Sequence, residues 1–166
     1  MPYRLYMSVD GACRRNGCNN ADAAAAVVIH RKSGRSETWS MPLPDYPVPT
    51  NQLAELTAIM MALEKALEKY RNMDQSPFMQ VTIKTDSEYS HKCLTQWSNK
   101  WVENGWLTSK GKEVKNRHLI ERALDLQADI EQNGSVRYTW VPREQNKEAD
   151  AAVNKELDSM DGNNED

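Results

Sequence analysis

The chain has 166 residues, of which 39% are hydrophobic and 27% are charged, and its formal net charge at pH 7 is -3. This composition is typical of one globular domain and excludes collagen-like, low-complexity and strongly basic chains. No apolar run reaches the length of a membrane span, and the N-terminus lacks a signal-peptide core. Three cysteines without metal-binding spacing indicate free thiols, so we expect an intracellular chain, in the cytoplasm or nucleus.

The first half of the sequence predicts three strands and a long helix. Residues 3–9 alternate in polarity like a strand, and residues 21–41 predict a hairpin that turns at residues 32–35. Four prolines then exclude regular structure until Thr50. Thr50 can cap a helix whose apolar residues recur at helical spacing to about Arg71.

The second half predicts two strands and further helices. The stretch "FMQVTIKT" is a strand that ends at Asp86, and helical segments follow with a break near Gly105. The stretch "SVRYTWV" is the last strand and "NKEADAAVNKEL" the last helix. This order predicts a mixed α/β sheet flanked by helices in one domain over residues 1–158, with an acidic, disordered tail over residues 159–166.

Four carboxylates occupy matching ends of these predicted elements. Asp10 and Asp86 each end a strand, and the carboxyl ends of parallel strands meet at one edge of a sheet. The Asp10–Gly11 pair is also common in turns. Glu55 and Asp150 lie near the starts of two helices, where the helix dipole alone favours a negative charge.

Taken together, the four carboxylates indicate a metal-dependent site. At one edge they would repel each other and raise each other's pKa unless cations intervened. Oxygen ligands suit Mg²⁺ or Mn²⁺ rather than zinc. Two such ions about 4 Å apart form the clamp used for in-line phosphoryl transfer, so phosphodiester hydrolysis is the reaction this set would support.

Five motifs follow one another along the chain: "VDGACRRNG", "TNQLAELTAIMMAL", "IKTDSEY", "QWSNKWVENGWLTSKGKEVKN" and "VPREQNKEAD". In this order they resemble type 1 ribonuclease H, and the resemblance runs from about Leu5 to Leu157. It implies an RNase H-like fold, with a five-stranded mixed sheet flanked by helices and a basic handle. It also implies an endoribonuclease that hydrolyses the RNA strand of RNA·DNA hybrids, leaving 5′-phosphate and 3′-hydroxyl ends.

The resemblance gives the four carboxylates the roles of metal ligands and catalytic residues. Asp10 would bridge two Mg²⁺ ions, for which Mn²⁺ is a possible substitute. Asp150 would hold the ion on the nucleophile side, and Glu55 with Asp86 would hold the other. The implied partner is an RNA·DNA hybrid, with no membrane partner, and we expect a monomer.

The resemblance also implies a set of nucleic-acid contacts. Asn16 and Gln52 would contact the RNA minor groove, where the 2′-hydroxyl distinguishes RNA from DNA. The same two residues are also typical of a turn and of a helix start. Thr50 and Asn116 match a pocket for a DNA phosphate. The full set of implied contact residues is Asn16, Thr50, Asn51, Gln52, Tyr89, Trp97, Trp101, Ser109 and Asn116.

Residues 97–116 resemble the basic handle that grips the DNA strand. Six basic and two acidic side chains lie between residues 92 and 117. Trp97 and Trp101 among these lysines fit sugar stacking beside phosphate attraction, although their spacing of four also fits one buried helix face. We assign Trp106 to packing.

The sequence departs from the family pattern in two places. Many members carry a histidine on the loop before the last helix, whereas the short link "VPREQNKEAD" has none. We hypothesise that Glu144, or water alone, covers that role. Val48 stands where some members have an arginine in the phosphate pocket, so Lys112 or Lys115 would supply the missing charge.

Two alternatives remain open from the sequence. One is a nuclease of the same fold that acts on double-stranded RNA. The other is a hybrid-binding module without catalysis, although a pure binder gains nothing from four mutually repelling carboxylates. The implied RNA contacts and the handle favour hybrids, because the first would contact an RNA strand and the second a DNA strand.

Overall fold

Residues 1–163 are described by the computed structural model, and five strands form one mixed sheet within them. The order across the sheet is β3-β2-β1-β4-β5, with β1, β2 and β3 antiparallel and β1, β4 and β5 parallel. This confirms the predicted five-stranded mixed sheet. The strands are β1 (Tyr3–Arg14), β2 (Asp22–His30), β3 (Glu37–Pro42), β4 (Met79–Thr85) and β5 (Gly134–Trp140).

Helices cover both faces of this sheet. On one face α1 packs against β1, β2 and α4, and on the other face α5 packs against β1, β2 and β3. A π-helical turn at Cys93–Trp97 joins α2 to α3. No helix in the described part of the chain is long and apolar enough to cross a membrane. The helices are α1 (Asn51–Arg71), α2 (Glu88–Lys92), α3 (Ser98–Asn104), α4 (Arg117–Glu131) and α5 (Lys147–Asn163).

The main core lies between the sheet and α1. Leu5, Met7 and Val9 point from β1 into this core, because successive residues of a strand face opposite sides. Ala24 and Ala26 of β2 point the other way and pack with apolar residues of α5. Alanine side chains are short, so they let α5 lie close to the sheet.

The predicted start of α1 is confirmed. The Oγ1 atom of Thr50 accepts a hydrogen bond from the backbone N–H of Leu53 at 3.1 Å, which satisfies one of the free N–H groups of the first turn. The helix then runs for 21 residues to Arg71. This cap sets where Glu55 lies, in the second turn.

The Asp10–Gly11 pair lies inside a strand, so its assignment to a turn is wrong. β1 extends to Arg14, and Asp10 and Gly11 pair with Ala26 and Ala25 of β2. Only the parallel pairing with β4 ends earlier, at Val9. The two antiparallel strands continue past the point where β4 leaves, and this leaves Asp10 at the edge of the parallel half of the sheet.

Gly11 is required by a close approach between two backbones. A Cβ atom at this position would lie 2.2 Å from the carbonyl carbon of Ala54 and 2.4 Å from the backbone nitrogen of Glu55. The start of α1 therefore rests directly on β1. This contact brings the helix residue Glu55 next to the strand residue Asp10.

The predicted disorder from residue 159 is wrong for residues 159–163, which belong to α5. The guanidinium of Arg14 donates to Asp158 at 2.7 Å and to Asp161 at 2.6 Å, which ties the end of this helix to β1. Part of the acidic run thus has a cationic partner, which the local composition did not reveal. Residues 164–166 of the predicted tail lie outside the described residues.

We expect Gly11→Ala to lower the free energy of unfolding by about 3 kcal/mol, because the added methyl group meets rigid backbone rather than a flexible side chain. Urea denaturation followed by circular dichroism measures this change. Gly162→Ala is the control, since its Cβ would meet no atom within 4 Å. Equal stability of the two variants would contradict the proposed contact.

Candidate active site

The structure brings all four predicted carboxylates to one place. Asp10 lies on β1 and Asp86 directly follows the neighbouring parallel strand β4. Glu55 projects from α1 and Asp150 from the first turn of α5. The charges of Asp86, Asp150 and Glu55 all act on Asp10.

Asp10 is the electrostatic centre of the cluster. It is only 7% exposed, and its pKa is raised from the ordinary aspartate value to about 8. Burial is the largest cause, followed by repulsion from Asp86, Asp150 and Glu55, while a hydrogen bond from the backbone of Gly11 opposes the shift. Without a counter-ion, the ionised form of Asp10 is therefore strongly disfavoured near neutral pH.

Glu55 is held by its neighbours on two sides. Burial raises its pKa above the ordinary glutamate value, and repulsion by Asp86 adds to this effect. The hydroxyl of Ser87 donates to its Oε2 atom at 2.7 Å and opposes the shift, as does the positive charge of Arg143. Ser87 thus orients the carboxylate, and Arg143 provides a positive charge near it.

Asn146 links three of the four carboxylate-bearing elements, and sequence reasoning did not identify it. Its Nδ2 atom donates to the backbone carbonyl of Val9 at 2.8 Å and to Oδ2 of Asp86 at 3.2 Å. Its backbone carbonyl accepts the N–H of Asp150 at 3.1 Å. The side chain is 2% exposed, and its Oδ1 atom has no hydrogen-bond partner among the described residues. Its place at the start of the last helix was the only available signal.

The donor chemistry of the cluster fits a divalent cation. The four side chains offer only carboxylate oxygens, which suit Mg²⁺ and Mn²⁺, and the raised pKa of Asp10 shows that the cluster lacks positive charge. Across residues 1–163, no three histidine, cysteine, aspartate or glutamate side chains are already arranged to hold a metal ion.

The predicted RNA contacts lie together near the start of α1. The Oδ1 atom of Asn16 accepts the backbone N–H of Asn51 at 3.3 Å, and Oδ1 of Asn51 accepts the N–H of Cys13 at 2.9 Å. Gln52 is exposed beside them. These bonds fasten the turn after β1 to the start of α1, so the structure forms one polar surface from residues far apart in the sequence.

The predicted DNA-side residues form a second surface. Rings of Tyr89, Trp97, Trp101 and Trp106 follow one another at centroid distances of 6.2, 5.9 and 6.0 Å. Trp97 is 38% exposed, whereas Trp106 is 7% exposed and packs in the core, as predicted. Trp97 is therefore the ring of this row that is most accessible to a ligand.

The two predicted phosphate-pocket residues are both engaged within the protein. Nδ2 of Asn116 donates to the Tyr89 hydroxyl at 3.3 Å, and the Thr50 hydroxyl caps α1. Ser109 is exposed in the loop between α3 and α4. Thr50 and Asn116 would contact a phosphate only through the hydrogen-bonding positions that these two bonds leave unused.

Arg143, rather than Glu144, is the residue of the short link whose charge acts on the cluster. Glu144 is exposed, lines a cavity with Ser8, His30 and Lys84, and is not among the residues that shift the pKa of Asp10 or Glu55. Arg143 does lower the pKa of Glu55. The geometry therefore does not support the accessory role hypothesised for Glu144.

The RNase H family model matches residues 3–158. This chain belongs to the RNase H family. The ribonuclease H of Methylobacillus flagellatus is 37% identical over 158 residues, covering 92% of this chain and 91% of the relative. The ribonuclease H of Schizosaccharomyces pombe is 38% identical over 135 residues, but this chain covers only 45% of that longer protein. The RNase H resemblance of the five sequence motifs is thus confirmed, and the chain is an enzyme of the ribonuclease H class.

Solved structures confirm the RNase H fold. LC9-RNase H1, a type 1 RNase H, aligns with a TM-score of 0.69 at 20% identity, covering 94% of this chain and 74% of that one. A foamy viral protease-reverse transcriptase in complex with an RNA/DNA hybrid aligns with a TM-score of 0.71 at 22% identity, covering 93% of this chain and 20% of that one.

We expect Asp10→Asn to stabilise the metal-free protein increasingly as the pH rises from about 4 to 8. In this window folded Asp10 holds a proton that the unfolded chain has lost, so the parent's free energy of unfolding falls with pH. Asparagine removes this loss, and the variant should gain about 2–5 kcal/mol over the parent across the window. Urea denaturation with a chelator at both ends of the window measures the difference. Asp74→Asn, in an exposed loop, is the control, and a pH-independent difference would contradict the assignment.

Proposed function

We propose that this chain is an endoribonuclease that hydrolyses the RNA strand of RNA·DNA hybrids. The observation that carries the proposal is the convergence of four carboxylates on Asp10, whose pKa they and its burial raise to about 8. Such a cluster is costly to fold unless a cation neutralises it. The RNase H family and the hybrid bound by the foamy viral neighbour support this choice of substrate.

We propose two Mg²⁺ ions as the cofactor, with Mn²⁺ as a substitute. Asp10 would hold both ions, Asp150 the one on the nucleophile side, and Glu55 with Asp86 the other. When bound, such a pair of ions activates the attacking water and stabilises the departing 3′ oxygen, which gives 5′-phosphate and 3′-hydroxyl products.

The chain's own neutral groups orient the carboxylates without neutralising them. Ser87 donates to Glu55 and Asn146 donates to Asp86, so each keeps one oxygen in a fixed direction while its negative charge remains. Arg143 adds a positive charge on the exposed side of Glu55, where it would attract the phosphodiester. These three residues thus position the site for an anionic substrate.

Two surfaces flanking the site would address the two strands. The polar surface of Asn16, Asn51 and Gln52 offers amides to the RNA minor groove and its 2′-hydroxyls. On the other side Trp97 offers an exposed ring for sugar stacking, and Lys112 and Lys115 offer exposed positive charges. Val48 is exposed and apolar in the implied phosphate pocket, so the lysines carry more of the phosphate attraction.

We expect Asp86→Asn to lower the cleavage rate of an RNA·DNA hybrid at least about hundredfold, because it removes a charge from the metal-binding set. The assay compares labelled hybrid, double-stranded RNA and double-stranded DNA, each with Mg²⁺ and with Mn²⁺. Asp74→Asn should cleave the hybrid like the parent. Full activity of Asp86→Asn would refute the metal assignment, and faster cleavage of double-stranded RNA would refute the hybrid as substrate.

We expect Arg143→Ala to lower kcat/KM for the hybrid about tenfold, because the positive charge near Glu55 is lost. Glu144→Gln, a change of charge at the adjacent residue, should alter neither turnover nor the preference between Mg²⁺ and Mn²⁺. Steady-state kinetics on both variants measure the two effects. The reverse result, with Glu144→Gln impaired and Arg143→Ala normal, would restore the accessory role of Glu144.

A further inference from the structure

One side of the sheet is left without a helix over β4 and β5. α5 packs against β1, β2 and β3 on this side and makes no extensive contact with β4 or β5. Strand alternation and the burial pattern put nine side chains on this side, and we call their surface the open face. The open face consists of Arg4, Tyr6 and the buried Ser8 from β1, Gln80, Thr82 and Lys84 from β4, and Ser135, Arg137 and Thr139 from β5.

The charges of the open face are all positive, although the chain as a whole has a net charge of -3. Arg4, Lys84 and Arg137 are its only charged members, and none of them makes an ion pair among residues 1–163. Arg4 donates through Nε to Oε1 of Gln80 at 3.1 Å, which holds its guanidinium over the sheet. The open face therefore matches an anionic ligand.

Tyr6 places an aromatic ring in the middle of these positive charges. It is 51% exposed, an unusual state for a tyrosine on a central strand. In the register of the sheet, Tyr6 lies beside Thr82, which lies beside Arg137. A shallow groove runs along these residues and Arg4. Aromatic rings that stack on bases and positive charges that contact phosphates are the two components of single-strand binding surfaces.

We propose that the open face binds single-stranded nucleic acid, with a base stacked on Tyr6 and phosphates near Arg4 and Arg137. This is a second nucleic-acid site, separate from the surfaces assigned to the hybrid. Tyr6 lies four residues before Asp10 on the same strand, about 13 Å away, so a single-stranded extension of a bound hybrid would reach it. The rim toward α5 carries Glu144 and Glu148, which limits the site to the Arg4 and Arg137 side.

Binding is measured by fluorescence anisotropy with a labelled single-stranded oligonucleotide of 12 nucleotides, as DNA and as RNA. The buffer contains a chelator to prevent cleavage. Tyr6→Ala/Arg137→Glu should raise the Kd for the single strand about tenfold or more. Its Kd for a blunt hybrid and its cleavage of that hybrid should stay within about twofold of the parent. Lys155→Glu makes the same change of charge on the exposed side of α5 and is the matched control.

The proposal fails if the parent does not bind single strands at low salt, or if the double variant binds them like the parent. It also fails if the double variant loses hybrid and single-strand binding equally. Ultraviolet cross-linking of the parent to the oligonucleotide needs no variant, so it decides the matter even if the double variant does not fold. The cross-link should map to the peptide that contains Tyr6, and one confined to Trp97 would overturn the proposal. A parent that binds single strands but does not cleave the hybrid with Mg²⁺ or Mn²⁺ would instead contradict the proposed function and leave this site standing.

Discussion

The close contact between Gly11 and the backbone of Ala54 is the constraint on which the site depends. It seats the first turns of α1 directly on β1, at the place where β4 leaves the sheet. Glu55 therefore lies next to Asp10 because the two backbones pack closely. The two carboxylates do not attract each other, so they do not contribute to this contact. A residue without a side chain is required here by lack of space rather than by a turn.

Packing, then, forces together charges that repel each other. The fold offsets this with neutral hydrogen bonds from Ser87 and Asn146, which set directions without supplying charge. The protein thus determines where the carboxylates are, and under the proposed function bound cations would neutralise them. The pKa of Asp10 is therefore raised to about 8, because the fold brings three other acids close to it and no positive charge of the chain cancels their effect on it.

Much of the fold was predictable because its signals are local. Alternation marked the strands, helical spacing with the Thr50 cap marked α1, and Asp86 at the predicted end of a strand marked the edge of the sheet, whereas β1 continues past Asp10. The interior position of Gly11, the links through Asn146 and the helical acidic run required contacts between distant residues, which a single sequence does not display. The effect of Arg143 on Glu55 was equally hidden, because the sequence does not show which residue of the short link lies near the carboxylates.

The last helix is fastened to β1 at both of its ends. Near its start Asn146 bonds to Val9, and near its finish Arg14 bonds to Asp158 and Asp161. The five strand steps from Val9 to Arg14 span about 17 Å and the twelve helical steps from Asn146 to Asp158 about 18 Å. The strand segment and the helix segment between these two links are therefore about equally long. Asp10 lies on the strand and Asp150 on the helix, so loss of the Arg14 contacts at the far end would be transmitted to the spacing between these two carboxylates.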